Sequence, residues 1–229
     1  MKEGFFAYQD IGYHALSVPS HMYLVSVLVL CVLGLLHVSG FSTQLKKSVL
    51  IYIDVEALSE AVCNEVLLAY SSSVKARGCF NLAIPGGSIL NMLSKLQGTS
   101  AIDWSKCTMS YVNHRCVPLD DETSTHEKAQ SLFLKSWQDQ GLKVYTLSGS
   151  TDALLEAKLY ADSLKEIEQI NDLPLFDLSL IGAGLDGHVG SLYPDSEAIR
   201  DSSGATVLSV VKPSSSSITL SLPVMLASR

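Results

Sequence analysis

The chain has 229 residues, of which 47% are hydrophobic and 17% charged, and its formal net charge is -7. This length suits one α/β domain, or one domain with an appendage. The acidic balance argues against a nucleic-acid-binding surface, so an anionic ligand would have to be held by a local cluster of Lys or Arg side chains.

The five cysteines show neither CxxC pairs nor a regular spacing. Disulfide frameworks and zinc sites depend on such spacing, so we interpret the cysteines as reduced thiols of a cytosol-like compartment and expect no metal site. They are Cys31, Cys63, Cys79, Cys107 and Cys116.

Residues 1–45 are predicted to be an N-terminal leader, separate from the domain at 46–229. Its segment 22–38 is apolar and contains no Asp, Glu, Lys or Arg, but it is shorter than the roughly 20 residues of a membrane-spanning helix. Val38-Ser39-Gly40 places small residues where a signal peptidase cleaves, before Phe41. A targeting segment, a membrane anchor, a buried helix and a wrongly assigned start all remain open.

Membrane contact is therefore expected only through segment 22–38, if that segment is retained. We expect a cytoplasmic protein, with two alternatives that depend on the leader. One is export through the secretory pathway. The other is a plastid, because a small residue followed by Phe at a signal junction resembles the leaders of proteins sent to complex plastids.

Helical and strand-like patterns alternate from residue 48 onward, which is typical of an α/β domain. Strands are predicted at 48–54, 79–84, 104–112, 144–147, 178–181, 206–211 and 218–222, and helices at 55–70, 89–96, 125–137 and 151–170. The last helix is expected to face the sheet with Leu154, Leu155, Leu159 and Leu164. No helix is predicted after the strand at 218–222, so we expect that strand to leave an exposed sheet edge.

The strand at 79–84 stops at Pro85-Gly86-Gly87-Ser88, directly before a helix. Unpaired backbone N–H groups at a helix start face outward and favour an anion, and Ser88 can add a hydroxyl donor. The same turn is also typical of an ordinary left-handed turn followed by a helix cap.

Arg115 follows the strand at 104–112 and is predicted to lie in a loop. A guanidinium can hold a phosphate or carboxylate by two parallel hydrogen bonds, although a loop arginine is more often a solvated charge. Further along, Ser124 and Glu127 have the spacing of a capping box for the helix at 125–137.

The segment 176–194, FDLSLIGAGLDGHVGSLYP, combines a short apolar strand with four glycines. The glycines let the backbone turn tightly and approach a ligand. They are Gly182, Gly184, Gly187 and Gly190.

Asp186 and His188 lie within this glycine-rich segment and are separated by one residue. A carboxylate at that spacing can fix the tautomer and orientation of an imidazole, which is the arrangement that a general base needs. The alternative is a turn aspartate beside a core histidine. The position after a buried strand favours a site, because ligands of open α/β sheets bind at the carboxyl ends of the strands.

The stretches NLAIPGGS, YVNHRCVPLDDETSTHEKA, FDLSLIGAGLDGHVGSLYP and KPSSSSITLSLPV resemble the 6-phosphogluconolactonases of the pentose phosphate pathway. The wider group of sugar-phosphate enzymes includes glucosamine-6-phosphate deaminases. The resemblance runs from about Ser48 to the end. It implies a doubly wound, mostly parallel, Rossmann-like sheet, no cofactor, and hydrolysis of the δ-lactone of 6-phosphogluconate.

The resemblance also implies a role for each matching residue, with a small sugar phosphate as the only expected partner. His188 would take a proton from the attacking water, and backbone N–H groups would stabilise the oxyanion. The catalytic residues would be Asp186 and His188, and the substrate-binding residues would be Gly86, Gly87, Ser88, Arg115 and Lys212.

The chain departs from the family pattern at several positions. Asn113-His114 stands where the family has an acidic pair, Ser124-Thr125-His126 replaces Ser-Asn-Tyr, and Ser217 replaces an arginine. Arg115 and Lys212 would therefore make more of the phosphate contact. A closing strand and helix expected after Leu226 are missing, which predicts a truncated C-terminal end.

Two further functions remain open. A deaminase or isomerase would need a catalytic carboxylate after Val112, where this chain has an amide and an imidazole. A non-catalytic sugar-phosphate-binding isoform would fit the lost acidic pair. The sequence does not predict the oligomeric state.

Overall fold

The structure is a computed structural model that describes residues 50–229. The predicted leader and its apolar segment 22–38 lie outside the described residues. Within residues 50–229, no helix is both long enough and apolar enough to cross a membrane.

Helices and strands alternate along most of the described chain. The helices are α1 (Val55–Arg77), α2 (Ile89–Leu93), α3 (Thr125–Ala129), α4 (Lys135–Asp139), α5 (Ala153–Leu164) and α6 (Leu222–Leu226). The strands are β1 (Phe80–Ile84), β2 (Cys107–Tyr111), β3 (Asn113–Arg115), β4 (Lys143–Val144), β5 (Gln169–Ile170), β6 (Leu173–Pro174), β7 (Leu178–Ser179), β8 (Val207–Lys212) and β9 (Ser215–Leu220). A π-helical turn, Gln130–Leu134, joins α3 to α4.

The central sheet is parallel and has the strand order β4-β2-β1-β7. Leu82 in the middle of β1 pairs with Met109 on one side and with Leu178 on the other. All five residues of β1 are buried, which explains why this strand is a continuous apolar run. The predicted α/β fold with a mostly parallel sheet is confirmed.

A second sheet is antiparallel and has the order β3-β9-β8. Val112 connects the two sheets, because its N–H donates to the carbonyl of Ile84 and its carbonyl accepts from the N–H of Leu220. Strand β9 lies between β3 and β8 and is paired along both edges. The prediction that residues 218–222 leave an exposed sheet edge is therefore wrong.

The predicted strand at 48–54 is not formed over its described part, residues 50–54. Leu50, Ile51 and Ile53 are exposed there. Asp54 ends the segment as the N-cap of α1, and its carboxylate accepts the N–H of Ala57 at 2.8 Å. An apolar pattern alone predicted a strand that finds no partner among the described residues.

The predicted sheet-facing side of α5 is wrong for three of its four leucines. Leu154, Leu155 and Leu159 are exposed, and only Leu164 is buried. The buried side instead carries Glu156, whose carboxylate accepts the backbone N–H groups of Ser148 and Ser150 at 3.0 and 2.9 Å. These contacts satisfy the buried polar oxygens of Glu156.

Candidate active site

An open cavity of about 920 Å³ lies beyond the carboxyl ends of the parallel strands. Residues 85–87 follow β1, Asn113 follows β2 and residues 182–184 follow β7. Six of the seven predicted site residues line this cavity: Gly86, Gly87, Arg115, Asp186, His188 and Lys212. The topology therefore brings together residues from four separate stretches of sequence at the edge where open α/β sheets bind ligands.

Asp186 and His188 form a hydrogen-bonded pair. The imidazole Nδ1 lies 2.5 Å from Oδ1 of Asp186, and the backbone N–H of His188 donates to the same oxygen at 3.3 Å. The hydrogen bond from His188 lowers the pKa of Asp186 below its ordinary value, so the carboxylate is ionised at neutral pH. An ionised carboxylate only accepts, so Nδ1 carries the hydrogen, and in the neutral tautomer of the ring the lone pair is then on Nε2.

Gly184 makes room for the imidazole of His188. A Cβ at this position would overlap Cε1 and Nδ1 of the ring and would lie 2.7 Å from Oδ1 of Asp186. The sequence predicts that the glycines let the backbone approach a ligand. At Gly184 the space is filled by the imidazole of His188 rather than left for a ligand.

Tyr193 contacts two of the predicted site residues, and the sequence analysis did not single it out. Its ring centre lies 4.7 Å from that of His188, and Nζ of Lys212 lies 3.0 Å from the Tyr193 centroid. The aromatic ring therefore connects a cation to the imidazole. The sequence could have pointed to Tyr193 through its position in Ser-Leu-Tyr-Pro, the last four residues of the glycine-rich segment.

The Gly86-Gly87 turn packs against helix α3. Gly87 has a φ of +88°, which favours glycine. A Cβ on Gly86 would lie 2.9 Å from Oγ1 of Thr125. This close approach brings the turn after β1 and the first residue of α3 to the same part of the cavity.

Ser88 is the one predicted site residue that does not line the cavity. Its backbone is already helical, with φ -65° and ψ -23°, and its hydroxyl caps no backbone group of α2. The hydroxyl oxygen is buried and has no hydrogen-bond partner among the described residues. The hydroxyl of Ser88 is thus buried within the protein and does not line the cavity, where the sequence placed it.

The antiparallel sheet presents alternate residues to the cavity. Asn113 and Arg115 on β3 and Ser215 and Ser217 on β9 all line it, and the register places Arg115 opposite Ser217. Arg115 lies on a strand, and the prediction of a loop is wrong because β9 pairs with this segment. Its guanidinium is exposed, and no acidic group of the described residues lies within ion-pair distance of it.

The charges that line the cavity are mostly positive. Three cations line it, namely Arg115, Lys128 and Lys212, against the two carboxylates of Glu122 and Asp186. Lys128 was missed by the sequence analysis, since nothing in the pattern of α3 marks one lysine among its polar residues. An acidic chain has thus gathered a local positive site for an anion.

His114 has a structural role under the cavity. It is 1% exposed, its Nδ1–H donates to the carbonyl of Arg115 at 2.6 Å, and its Nε2 accepts the backbone N–H of His126 at 3.0 Å. Burial lowers its pKa, so the ring is neutral at pH 7. His114 therefore caps the start of α3 from a neighbouring strand.

Ser124 also caps α3. Its hydroxyl accepts the N–H of Glu127 at 3.3 Å, as predicted, but its own N–H donates to the carbonyl of Asp121 at 2.8 Å. In a full capping box the side chain of Glu127 would accept the N–H of Ser124, whereas here the backbone carbonyl of Asp121 accepts it.

Metal ligands and thiols do not add to the site. Among residues 50–229, no group of three or more His, Cys, Asp or Glu side chains is placed to hold a metal ion. The cysteines of this part of the chain, Cys63, Cys79, Cys107 and Cys116, are free.

Sequence comparison finds relatives over the whole described domain. The sequence profile described as glucosamine-6-phosphate isomerases/6-phosphogluconolactonase matches residues 53–229. "Probable 6-phosphogluconolactonase 4" of Arabidopsis thaliana is 30% identical over 197 residues, covering 79% of this chain and 76% of that protein. "Probable 6-phosphogluconolactonase" of Schizosaccharomyces pombe is 31% identical over 191 residues, covering 78% of this chain and 74% of that protein.

Structure comparison gives the same picture. A 6-phosphogluconolactonase from Shewanella baltica has a TM-score of 0.64 at 26% identity, covering 76% of this chain and 74% of that one. A 6-phosphogluconolactonase from Leishmania guyanensis has a TM-score of 0.66 at 24% identity, covering 76% of each chain. At that lower identity the likeness concerns the fold alone, and it agrees with the predicted Rossmann-like α/β class.

Proposed function

Because the chain belongs to the glucosamine-6-phosphate isomerase/6-phosphogluconolactonase family, we propose that it hydrolyses 6-phospho-D-glucono-1,5-lactone to 6-phospho-D-gluconate. This is a step of the oxidative pentose phosphate pathway. The observation that carries the proposal is the Asp186–His188 pair, which lines the same cavity as three cations. A base beside a cationic pocket suits an anionic substrate that must be attacked by water.

The proposed first step is the attack of water on C1 of the lactone. Nε2 of His188 removes one proton from the water as its oxygen bonds to C1, and the carbonyl oxygen becomes an oxyanion. Asp186 holds Nδ1–H throughout and stabilises the imidazolium that forms. Backbone N–H groups of the glycine-rich segments that line the cavity are the proposed donors to the oxyanion.

In the proposed second step, the tetrahedral intermediate collapses. The bond between C1 and the ring oxygen breaks, and the ring oxygen leaves as an alkoxide that takes the proton back from His188. The immediate product carries a carboxylic acid at C1 and a hydroxyl at C5, and the acid then releases its proton to solvent to give the carboxylate. The net change is the addition of one water molecule, so no cofactor is needed.

The substrate phosphate is proposed to bind to Arg115 and Lys212, with the sugar against the Gly86-Gly87 turn. A guanidinium can bind two phosphate oxygens at once, whereas an ammonium acts as a point charge. Binding at a site remote from C1 positions the lactone carbonyl against the base, which converts binding energy into orientation.

The test is to generate the lactone in situ and to compare its loss with spontaneous hydrolysis. The protein should accelerate the loss well above background, and His188→Ala should abolish the excess while circular dichroism stays unchanged. Background-level loss with the unmodified protein, or a full rate with His188→Ala, would remove the assignment.

The deaminase alternative meets an obstacle at Asn113. The Nδ2 of this amide donates to Oγ of Ser191 at 3.3 Å, and its Oδ1 is buried without a partner among the described residues. An amide cannot exchange protons as a catalytic carboxylate does. Release of ammonia from glucosamine 6-phosphate would revive this alternative, and binding of 6-phosphogluconate without turnover would support a non-catalytic isoform.

For the compartment, we propose the cytoplasm, with a plastid or the secretory pathway as the alternatives set by residues 1–45. A fluorescent fusion that retains residues 1–45 should be compared with one that begins at Lys46. Diffuse fluorescence from both fusions supports the cytoplasm, whereas an organellar signal from the longer fusion alone assigns targeting to the leader.

A further inference from the structure

We propose that Lys128 is a further phosphate-binding residue, and that it sets the preference for phosphorylated over unphosphorylated lactones. This inference rests on the proposed hydrolysis and names a residue that the sequence did not single out. The observations that carry it are the position of Lys128 on the cavity wall, the contacts that fix its helix, and the charge balance of the site.

Helix α3 carries Lys128 into the cavity. Thr125 and Lys128 are three residues apart, so they share one side of the helix, and both line the cavity. Thr125 packs directly against Gly86, where a Cβ would lie only 2.9 Å from its hydroxyl. Lys128 therefore lies about one helical turn after Thr125, the residue of α3 that contacts Gly86.

The backbone beneath Lys128 is firmly held. Nε2 of His114 accepts the N–H of His126 at 3.0 Å, and Ser124 accepts the N–H of Glu127 at 3.3 Å. The ring of His126 is hydrogen-bonded in turn to the hydroxyl of Tyr111 at 2.9 Å. A side chain that starts from a fixed backbone loses less freedom on binding a ligand than one on a loose segment.

The ammonium group of Lys128 is available for a ligand. Lys128 is exposed, and no carboxylate of residues 50–229 forms an ion pair with it. Arg115 is likewise exposed and forms no ion pair with a carboxylate of residues 50–229. The ammonium group of Lys212 lies over the ring of Tyr193. A phosphate monoester carries between one and two negative charges and three strong acceptor oxygens near neutral pH, so a third cation beside Arg115 and Lys212 still finds acceptors on the phosphate.

The strand partner of Arg115 adds no further positive charge. Ser217, its partner across the strands, offers only a hydroxyl. The contacts that fix His188 come from Gly184, Asp186 and Tyr193, none of which lies on α3. Lys128 therefore makes none of the contacts that position His188. Its ammonium group is a suitable partner for the phosphate of the substrate.

The experiment compares Lys128→Ala with Lys135→Ala, on two lactones. Lys135 is an exposed lysine on α4 and does not line the cavity. Lys128→Ala should raise KM for the phosphorylated lactone about tenfold or more, the cost of one charge-assisted hydrogen bond, with kcat within about twofold. Hydrolysis of unphosphorylated glucono-1,5-lactone should not change, Lys128→Arg should recover most of the affinity, and Lys135→Ala should behave as the unmodified protein.

Calorimetry with 6-phosphogluconate separates this inference from the proposed hydrolysis. If the unmodified protein binds the product but does not turn over the lactone, the hydrolysis fails and Lys128 is judged by the affinity alone. An unchanged KM and an unchanged affinity in Lys128→Ala would overturn the role of Lys128, as would equal losses for both lactones. An unmodified protein that neither binds 6-phosphogluconate nor turns over the lactone would overturn both.

Discussion

The two sides of the cavity are built in different ways. On the glycine-rich loop, residues 182–193, each contact to His188 comes from within a few residues: Gly184, Asp186 and Tyr193. On the α3 side, residues 113–128, the contacts join positions that are far apart in sequence, as when β9 pairs with β3. The base is thus fixed by local geometry, and the anion-binding wall depends on the assembly of the fold.

Substitutions on the two sides of the cavity should therefore have different effects on activity. Changes in the glycine-rich loop should lower kcat with little effect on substrate affinity. Changes on the α3 side should weaken substrate binding or stability and leave the chemical step intact. Each substitution below tests one side against the other.

The largest effect is expected for Asp186→Asn in the glycine-rich loop. An amide can donate to Nδ1, which would move the ring hydrogen to Nε2 and remove the lone pair that accepts the proton of water. We expect kcat to fall by about 10²–10⁴-fold, with KM nearly unchanged. Steady-state kinetics would measure this, and an unaltered kcat would show that the carboxylate does not set the tautomer.

A somewhat smaller loss is expected for Gly184→Ala. The new Cβ would overlap the imidazole of His188 and push it from its place, although every catalytic group would still be present. A displacement of this kind costs about 10²-fold in rate. If kcat stays within a few-fold of the unmodified enzyme, the position of the ring is not what limits the reaction.

On the α3 side, His114→Ala should act mainly on stability and on KM. It removes the acceptor for the buried N–H of His126 and leaves a cavity, which together cost about 2–4 kcal/mol in the free energy of unfolding. Urea denaturation measures the loss. His114→Gln, whose amide can both donate and accept, should lose less, and a kcat loss at saturating substrate as large as that of Asp186→Asn would contradict the division between the two sides.

The smallest effect expected is a dependence of stability on pH through the two buried histidines. Burial lowers the pKa of both His114 and His126, so the unfolded chain binds protons more readily than the native state. Their contribution is fully present above the pKa of about 6.5 of an unfolded histidine and is lost as the pH falls through the lowered native values. Each tenfold difference in proton affinity between the native and unfolded states changes the free energy of unfolding by about 1.4 kcal/mol.

The measurement is the urea midpoint at a series of pH values from neutral to mildly acidic. The midpoint should fall on acidification, and it should fall less steeply in His114→Gln, where one of the two titrating rings is gone. Equal slopes for the two proteins would show that His114 does not contribute.

Strands β1 and β7 of the parallel sheet could be predicted because each lies in a short apolar run that ends close to a glycine. Strand β1 is such a run, and the helix after Ser124 was visible from its cap. The face of α5 could not be predicted, since burial of Glu156 depends on backbone N–H groups of Ser148 and Ser150 that lie outside the helix. Likewise, Arg115 was predicted to lie in a loop because its strand partner comes from the far end of the chain.

The sequence by itself determined the glycine-rich loop and its Asp186–His188 pair, because a hydrogen bond across two residues is set by local backbone geometry. Through the family resemblance it also predicted that Gly86, Gly87, Arg115 and Lys212 belong to one substrate site. Only the tertiary structure decided that Ser88 does not line the cavity and that Lys128 and Tyr193 do. The reason is physical: where a side chain points depends on how helices and strands pack, and packing joins residues that no local pattern connects.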